Sequence, residues 1–456
     1  MKKAIMTLLR LRKETGAEVY YTGGSVRDLL RKKKSRNTDI LIRGLSFTKI
    51  SEFLQKYGKV TEILEDHLIL FSINGNNDTV RITIPRRARI FDPSGNLYSD
   101  AHSRDFTINS MYLPIHKRTK RNLIDHVNGL DDIQLKQIRA INAPAKFRIS
   151  PVRMLRAISL AARLNYKIET SLLNTIKTMA RMVIKVDPEE IKRELVEILL
   201  SKKPSKYISL LHEARLLQFI LPELEACYGI FQNRKYHKYD VFTHCTTSCD
   251  NVEPDLVLRL AALFHDIGKP PTRNYTTIGG KGKMTFYNHE IVGTKLTKKI
   301  LKRLHFDKTV IVQVCKLVYL HMYYYESSKW TDSAIKRFVQ RTKITENQVP
   351  YLDKLPLFKL RRADRIANGY STHEVSLKQL ELQERIKTLF ENEKRVTAKD
   401  LAINGTDLMV EFNLKEGPTV GHILKHLLQL ITNDLGLNKK EKLLELASEY
   451  LSSALK

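Results

Sequence analysis

Acidic residues are scarce in this chain. Asp and Glu number 49 against 78 Lys and Arg, which leaves a formal net charge of +29 over 456 residues. Such an imbalance points to a polyanionic partner, with nucleic acid ahead of a membrane surface. Cysteine is scarce too. Cys227, Cys245, Cys249 and Cys315 form no CxxC pair, which excludes a disulfide framework and fits a reducing cytoplasm. Cys245 and Cys249 follow His244 closely and read as packing residues. Long apolar runs are missing, so no spanning helix is expected, and the apolar stretch between Met1 and Lys13 is too short for a signal peptide. The expected location is cytoplasmic, with no membrane contact. No internal repeat or low-complexity tract occurs. What is present is a 42% hydrophobic content, enough to fill the cores of two to four domains.

Hydrophobic periodicity divides the chain. Up to about residue 142, short strands alternate with helices. Glu18 to Tyr21 reads as a strand, then Thr22-Gly23-Gly24, then a helix from Ser25 to Leu30. Val80, Ile82 and Ile84 alternate as a strand does. From about Ser150 the pattern is helical. Met154, Leu155, Ile158, Ala161 and Ala162 share one apolar face, and Leu195, Ile198 and Leu199 share another. Leu256 to Phe264 is a nearly continuous apolar helix. Thr276 to Lys283, rich in glycine, reads as a mobile basic loop. Amphipathic helices follow Asp364, broken once at Gly417-Pro418. The predicted class is an α+β head (a mixed sheet with helices, 1–142). A helical neck (143–222), a helical bundle (223–375) and a helical tail (376–456) follow it.

His244, His265 with Asp266, His289, His321 and Asp364 carry a metal-site pattern. Imidazole nitrogens and carboxylate oxygens are the ligands that transition metals take in phosphohydrolases. His265 and Asp266 end an apolar helix, where burying such a pair without a ligand is costly. Asp364 follows Leu357, Phe358 and Leu360 and poses the same problem. A lone His289 or His321 is more often a surface or core residue, and it is the set that argues for ligation. The set resembles the HD-domain phosphohydrolases. His244, His265, Asp266 and Asp364 match their basic ligand positions. His289 and His321 match the extra pair of two-metal members, and Lys269 matches a residue facing substrate phosphate. The resemblance implies two divalent ions (Mn, Ni, Fe or Mg), Asp266 bridging, and a metal-bound hydroxide as nucleophile.

A second set lies near the N-terminus. Gly23-Gly24-Ser25-Val26-Arg27-Asp28 follows a strand and opens a helix, where backbone N–H groups can meet an anion. A Gly-Gly pair alone can be only a tight turn. The longer string resembles the signature of the class II CCA-adding tRNA nucleotidyltransferase and bacterial poly(A) polymerase family. So do Arg104-Asp105-Phe106-Thr107-Ile108-Asn109-Ser110-Met111 and Pro151-Val152-Arg153-Met154-Leu155-Arg156-Ala157. The stretch from Glu189 to Leu221 resembles the family's neck. The tail from Asp400 to Gly405, with Gly417-Pro418, resembles that of HD-bearing members. The resemblance covers essentially the whole chain. It implies nucleotide and phosphate binding by Gly23, Gly24, Arg27, Arg104, Asp105, Arg153 and Arg156, catalysis through Asp39, and Mg²⁺ in the head.

This chain departs from that family at several reacting positions. Two aspartates stand one residue apart in the family, where this chain has Asn37 and Asp39. A later acidic position aligns with Arg81. The acidic pair before Arg153 is Ile149-Ser150, and Ser103 replaces an arginine. These changes lead to the expectation that the head is degenerate. His265, Asp266 and Lys269 would then act in a metal-dependent phosphohydrolase working on tRNA-like 3′ ends. An active CCA- or A-adding enzyme and a non-catalytic RNA-binding protein are the alternatives. Charge runs at 31–36, 86–89, 117–121, 202–203 and 298–303 suggest a surface that tracks an RNA backbone, although each alone is usually a solvated face. Tyr287 and the run Tyr323 to Tyr325 are candidates for stacking on bases, or for packing.

Overall fold

The structure is a computed structural model of the chain. It describes all residues except Met1, Arg36, 64–67, 74–78, 88–89, Arg118, 234–236, 279–280, 324–328, 370–376, 396–397, Asp434 and 455–456. Two compact units emerge: 1–319 with 363–371, and 320–362 with 372–456.

The first unit begins with helix α1 (Lys2–Thr15), whose buried Ala4, Thr7, Leu8 and Leu11 recur at helical spacing. A seven-stranded mixed sheet follows. Its strands are β1 (Glu18–Tyr21), β2 (Thr38–Arg43), β3 (Lys59–Ile63), β4 (Leu68–Ser72), β5 (Val80–Thr83), β6 (Met111–Pro114) and β7 (Ile124–Asp125), in the order β3-β4-β5-β2-β1-β6-β7. Within this sheet and among the described residues, β2 and β5 pair in parallel, with Asp39 opposite Arg81, while β1–β2, β4–β5 and β1–β6 are antiparallel. Ile40, Leu41 and Ile42 are all fully buried. Three consecutive buried residues mean that both faces of β2 are covered. Helix α2 (Gly23–Leu30) lies between β1 and β2 in sequence and packs on β2 and β6. The helix starts two residues earlier than its sequence suggests, because both glycines join it.

Beyond the sheet the unit is helical. Helix α3 (Val152–Leu164) buries Met154, Leu155, Ile158, Ala161 and Ala162 against α4 (Pro188–Leu199), which offers Leu195, Ile198 and Leu199. Asn165 ends α3 in the left-handed conformation at φ 55°, a stop that Asn tolerates better than most residues. Asp187 caps α4 through the Glu189 N–H at 2.7 Å. Helices α5 (Pro204–Glu213), α6 (Val241–Asp250) and α7 (Leu256–Phe264) pack in succession. Asp240 and Asp255 cap α6 and α7 by accepting from the Thr243 and Leu258 N–H groups.

The stretch read from sequence as a loop at 276–283 falls within an antiparallel hairpin. Asn274–Ile278 pairs with Lys281–Thr285, and Asn274 lies opposite Thr285. Tyr275, Thr276, Thr277 and Ile278 are strand formers, and they outweigh the nearby glycines. Gly279 and Gly280 lie outside the described residues. Helices α8 (His289–Arg303) and α9 (Lys308–Leu320) follow, then α10 (Pro356–Ala367).

The second unit has its own core. Ile423, Leu427 and Ile431 of α11 (Pro418–Asn433) meet Leu443 and Ala447 of α12 (Lys440–Ala454) and Leu408. Among the described residues no helix is long and apolar enough to cross a membrane.

Asp132 anchors the junction below the sheet. Its buried carboxylate accepts from Thr107 Oγ1 at 2.6 Å, Gln137 Nε2 at 2.8 Å and Arg139 Nη2 at 2.7 Å. Removing it strands buried donors. Asp132→Ala is therefore expected to lower the unfolding free energy by about 3 kcal/mol, read as a reduced urea midpoint.

Candidate functional site

The head places the glycine string against a carboxylate. Thr22 leaves β1 extended, and its N–H donates to the Asp39 carbonyl at 3.0 Å. Gly23 then turns left-handed at φ +59°, where a side chain is strained. A Cβ at Gly23 would lie 3.2 Å from Asp39 Oδ2, and one at Gly24 would lie 3.4 Å from the same atom. Ser25 pins the arrangement. Its hydroxyl donates to the Asn37 carbonyl at 3.1 Å and accepts from the Asp39 N–H at 2.6 Å.

Arginines surround this turn. Arg27 is buried and donates to Asp28 through Nε and Nη2, at 2.9 and 2.8 Å, and to Asn109 Oδ1 at 2.7 Å. Arg104 is held by Asp100 at 2.7 Å and lies over the Tyr112 ring. The Tyr112 hydroxyl also donates to Asp100, and burial raises its pKa far above the phenol range. Arg153 pairs with Asp105 at 2.7 Å, and Arg156 with Glu190 and Glu194 at 3.3 and 3.5 Å. A cavity of about 420 Å³ opens beside them, lined by Arg104, Asp105, Asn109, Arg156, Arg163 and Arg193 among others. Burial raises the Asp39 carboxyl above the usual carboxylate range, against the pull of Arg81, Arg104 and Arg27. Ile149 is half exposed, and Ser150 ends the short helix Ala143–Ile149.

The histidine set assembles from four separate stretches. His244 lies on α6, His265 and Asp266 follow α7, His289 opens α8, and Asp364 lies in the last turn of α10. All five are buried. His244 Nε2 lies 3.0 Å from His265 Nε2 and 3.1 Å from Asp364 Oδ1. Asp266 faces both ways. Its Oδ2 lies 3.4 Å from His244 Nε2 and from His265 Nε2, and its Oδ1 lies 3.3 Å from His289 Nε2. His265 Nδ1 meets the Ala262 carbonyl at 2.9 Å, and His289 Nδ1 meets the Phe286 carbonyl at 2.7 Å. The carbonyls accept from these Nδ1–H groups and so turn each Nε2 into the cluster, the orientation that metal-ligating histidines use.

Lys269 donates to Asp266 Oδ2 and Gln232 Oε1, each at 2.5 Å. Burial opposes charge on Asp266, yet Lys269, His265 and His289 hold its carboxyl well below the ordinary range. His321 is buried and directly follows α9, where the second unit begins.

Several neighbours escaped sequence reasoning. Asp100 and Tyr112 fix Arg104, Gln232 shares Lys269, and His237 sets its ring edge-on to His244 at 5.3 Å. Burial, with Lys269 and His244, pushes His237 down to about 4. Only Asn109 had a signal, its place inside the Arg104–Met111 string. Tyr323 stacks on Phe338 at 4.5 Å and so packs within its own unit. Tyr287 is exposed, and Tyr324 and Tyr325 lie outside the described residues.

The sheet, the glycine turn and the helical region behind them define a nucleotidyltransferase-type head with a helical continuation. Comparisons agree. Residues 19–139 match the poly A polymerase head domain. Residues 165–228 match a probable RNA and SrmB-binding site of polymerase A, and 286–447 a putative tRNA nucleotidyltransferase domain 2. The chain is 27% identical over 428 residues to the CC-adding tRNA nucleotidyltransferase of Thermus thermophilus, covering 91% of this chain and 90% of that protein. It is 29% identical over 346 residues to the A-adding enzyme of Deinococcus radiodurans, covering 73% and 74%. It is 30% identical over 298 residues to the multifunctional CCA protein of Herminiimonas arsenicoxydans, covering 63% and 69%. The Bacillus stearothermophilus CCA-adding enzyme, solved with CTP, shares the fold. Its TM-score is 0.62 at 18% identity, over 99% of this chain and 98% of that one. The chain belongs to the class II CCA-adding tRNA nucleotidyltransferase and poly(A) polymerase family.

These relatives overturn the expectation of a phosphohydrolase on a degenerate frame, since they are named for nucleotide addition. The error has a physical source. A histidine–aspartate set specifies ligand chemistry, and it does not by itself specify which reaction the chain performs.

Gly268 couples the centre to α8. A Cβ there would lie 2.1 Å from the His289 carbonyl and 2.6 Å from the Gly293 N, whereas one at Gly293 would meet nothing closer than 3.3 Å. Gly268→Ala should cost at least about 2 kcal/mol and Gly293→Ala clearly less. Thermal denaturation of the two variants side by side reads the difference.

Proposed function

We propose that this chain adds nucleotides to the 3′ end of a tRNA or tRNA-like RNA. The observation that carries the proposal is the Gly23 turn, which sets the Asp39 carboxylate at the start of α2. Arg27 stands beside it, and a cavity of about 420 Å³ lined by Arg104, Asp105, Asn109 and Arg156 lies in the same head-and-neck region. The opening of α2, with Arg27 and Arg104 nearby, suits a polyphosphate. Asp105, Arg153 and Arg156 are the polar groups for the nucleotide's sugar and base. Asp39 is the residue to hold a divalent ion, which supplies charge neutralisation for phosphoryl transfer when bound. The helices from 143 to 222 are assigned to grip the RNA, in keeping with the net charge of +29. The relatives' names and a Thermotoga maritima CCA-adding enzyme solved with tRNA (TM-score 0.53) support the tRNA substrate. The division into head (1–142), neck (143–222), histidine-bearing region (223–375) and tail (376–456) is part of this proposal.

The test is incorporation of labelled ATP or CTP, offered separately, into tRNA lacking its terminal nucleotides in the presence of Mg²⁺. Wild-type protein should extend the RNA, and Asp39→Ala should reduce extension at least about 100-fold. Absence of incorporation with both nucleotides would sink the proposal. Which nucleotide enters identifies the kind of addition.

We also propose that His244, His265, Asp266, His289 and Asp364 bind divalent metal without being the reacting centre. The support is the 3.0 Å approach of two inward Nε2 atoms. Two ring nitrogens so close share either a proton or a cation. The donor set of imidazoles and carboxylates suits Mn, Ni or Fe as well as Mg. Elemental analysis of purified protein should find bound metal, and His265→Ala with Asp266→Ala should remove most of it. Metal content unchanged by the pair would refute this part.

A further inference from the structure

The head does not fit a pair of metal ions. A two-ion centre needs several carboxylates converging on it. Here Asn37 is exposed and its side-chain amide is neutral, so it brings no charge to a metal, while its main-chain carbonyl accepts from the Ser25 and Ser35 hydroxyls. Asp39 belongs to neither of the metal-competent groups found among the described residues. The position beside it on the sheet carries a positive charge instead. The parallel pairing of β2 with β5 sets Arg81 directly opposite Asp39, and Arg81 Nε lies 3.7 Å from Asp39 Oδ1. Partners in register point to the same face of a sheet, so this contact follows from the backbone and not from a chance rotamer. Both side chains remain reachable, with 46% of Arg81 and 24% of Asp39 exposed. A guanidinium so placed offers N–H donors to a phosphate on the face that the glycine turn presents.

Building on the nucleotide-addition reading, we propose that Arg81 is a fixed phosphate-binding cation in the head. It stands where a second ion would otherwise sit, and it lets the head hold a nucleoside triphosphate with fewer metal ions than a two-carboxylate site requires. Arg81 approaches the phosphates from the β5 side, while Arg27 lies beside Gly24 at the start of α2. Because the guanidinium is always protonated, part of the triphosphate's charge is balanced whatever the metal supply.

The test measures binding and transfer separately. A non-hydrolysable ATP or CTP analogue is titrated calorimetrically into the full chain in EDTA. Wild-type protein should retain measurable binding, and Arg81→Ala should weaken it about 10- to 100-fold. Arg81→Lys should recover only part of the loss, because a point charge lacks the fork. A second arm counts Mn²⁺ bound in the presence of the analogue by electron paramagnetic resonance. The doubly substituted chain Asn37→Asp with Arg81→Glu should bind one more ion than wild type, the histidine cluster being common to both. Arg81→Ala binding within about twofold of wild type in EDTA, or equal Mn²⁺ counts in the two chains, overturns the inference. If the wild type still extends tRNA in that event, the Arg81 assignment alone is wrong. If neither analogue binding nor extension occurs, the nucleotide-addition reading falls with it.

Discussion

The hydroxyl of Ser25 holds the head's chemistry in place. It sits in the first turn of α2 and bonds both to the Asn37 carbonyl and to the Asp39 N–H. One small side chain thereby locks the start of β2 to the start of α2. The left-handed turn at Gly23 is what allows the approach, because any Cβ there would crowd the Asp39 carboxylate. Once β2 is fixed, its parallel pairing with β5 decides what faces Asp39, and in this chain that residue is Arg81. Site composition thus follows from sheet register as much as from the glycine string.

The surrounding arginines illustrate a second constraint. A cluster of guanidiniums repels itself unless each is tied to a local carboxylate. Asp28 ties Arg27, Asp100 ties Arg104, Asp105 pairs with Arg153, and Glu190 and Glu194 pair with Arg156. Each pairing fixes the direction of its guanidinium. Asp100 is fully buried and shared by Arg104, Tyr112 and the Arg86 N–H, so Arg104 stands on a rigid base. In a basic chain, these carboxylates serve to orient cations.

Much of this was legible in the sequence because it is local. The strand at Glu18–Tyr21, the apolar faces of α3 and α4, and the helix ending at Phe264 all follow from periodicity and capping. The histidine–aspartate set was legible because buried polar pairs at the end of an apolar helix need partners. The supporting residues were not. Gln232 reaches Lys269 across 37 positions, and Tyr112 meets Asp100 only after the sheet has formed. No spacing rule encodes such contacts. The hairpin at Asn274–Thr285 was misread because its glycines suggested a loop while its β-branched residues formed strands. The reaction class was misread for a different reason. Missing carboxylates in the head were weighed as loss of function, when an arginine in register with Asp39 offers charge of the kind phosphates require.

The two centres differ in a way that bears on which does the chemistry. In the helical centre every ligand placed in the first unit is nearly sealed from solvent, and Lys269 already compensates Asp266 from 2.5 Å. The head has the opposite character. Its carboxylate is partly exposed, and an open cavity lined by Arg104, Arg156, Arg163 and Arg193 lies beyond it. A large polyanion must enter, react and leave during turnover, and an accessible cationic face permits that while a sealed cluster favours a resident ion. Accessibility and charge balance, more than the completeness of either ligand list, are what favour the head over the histidine cluster for the nucleotide chemistry proposed above.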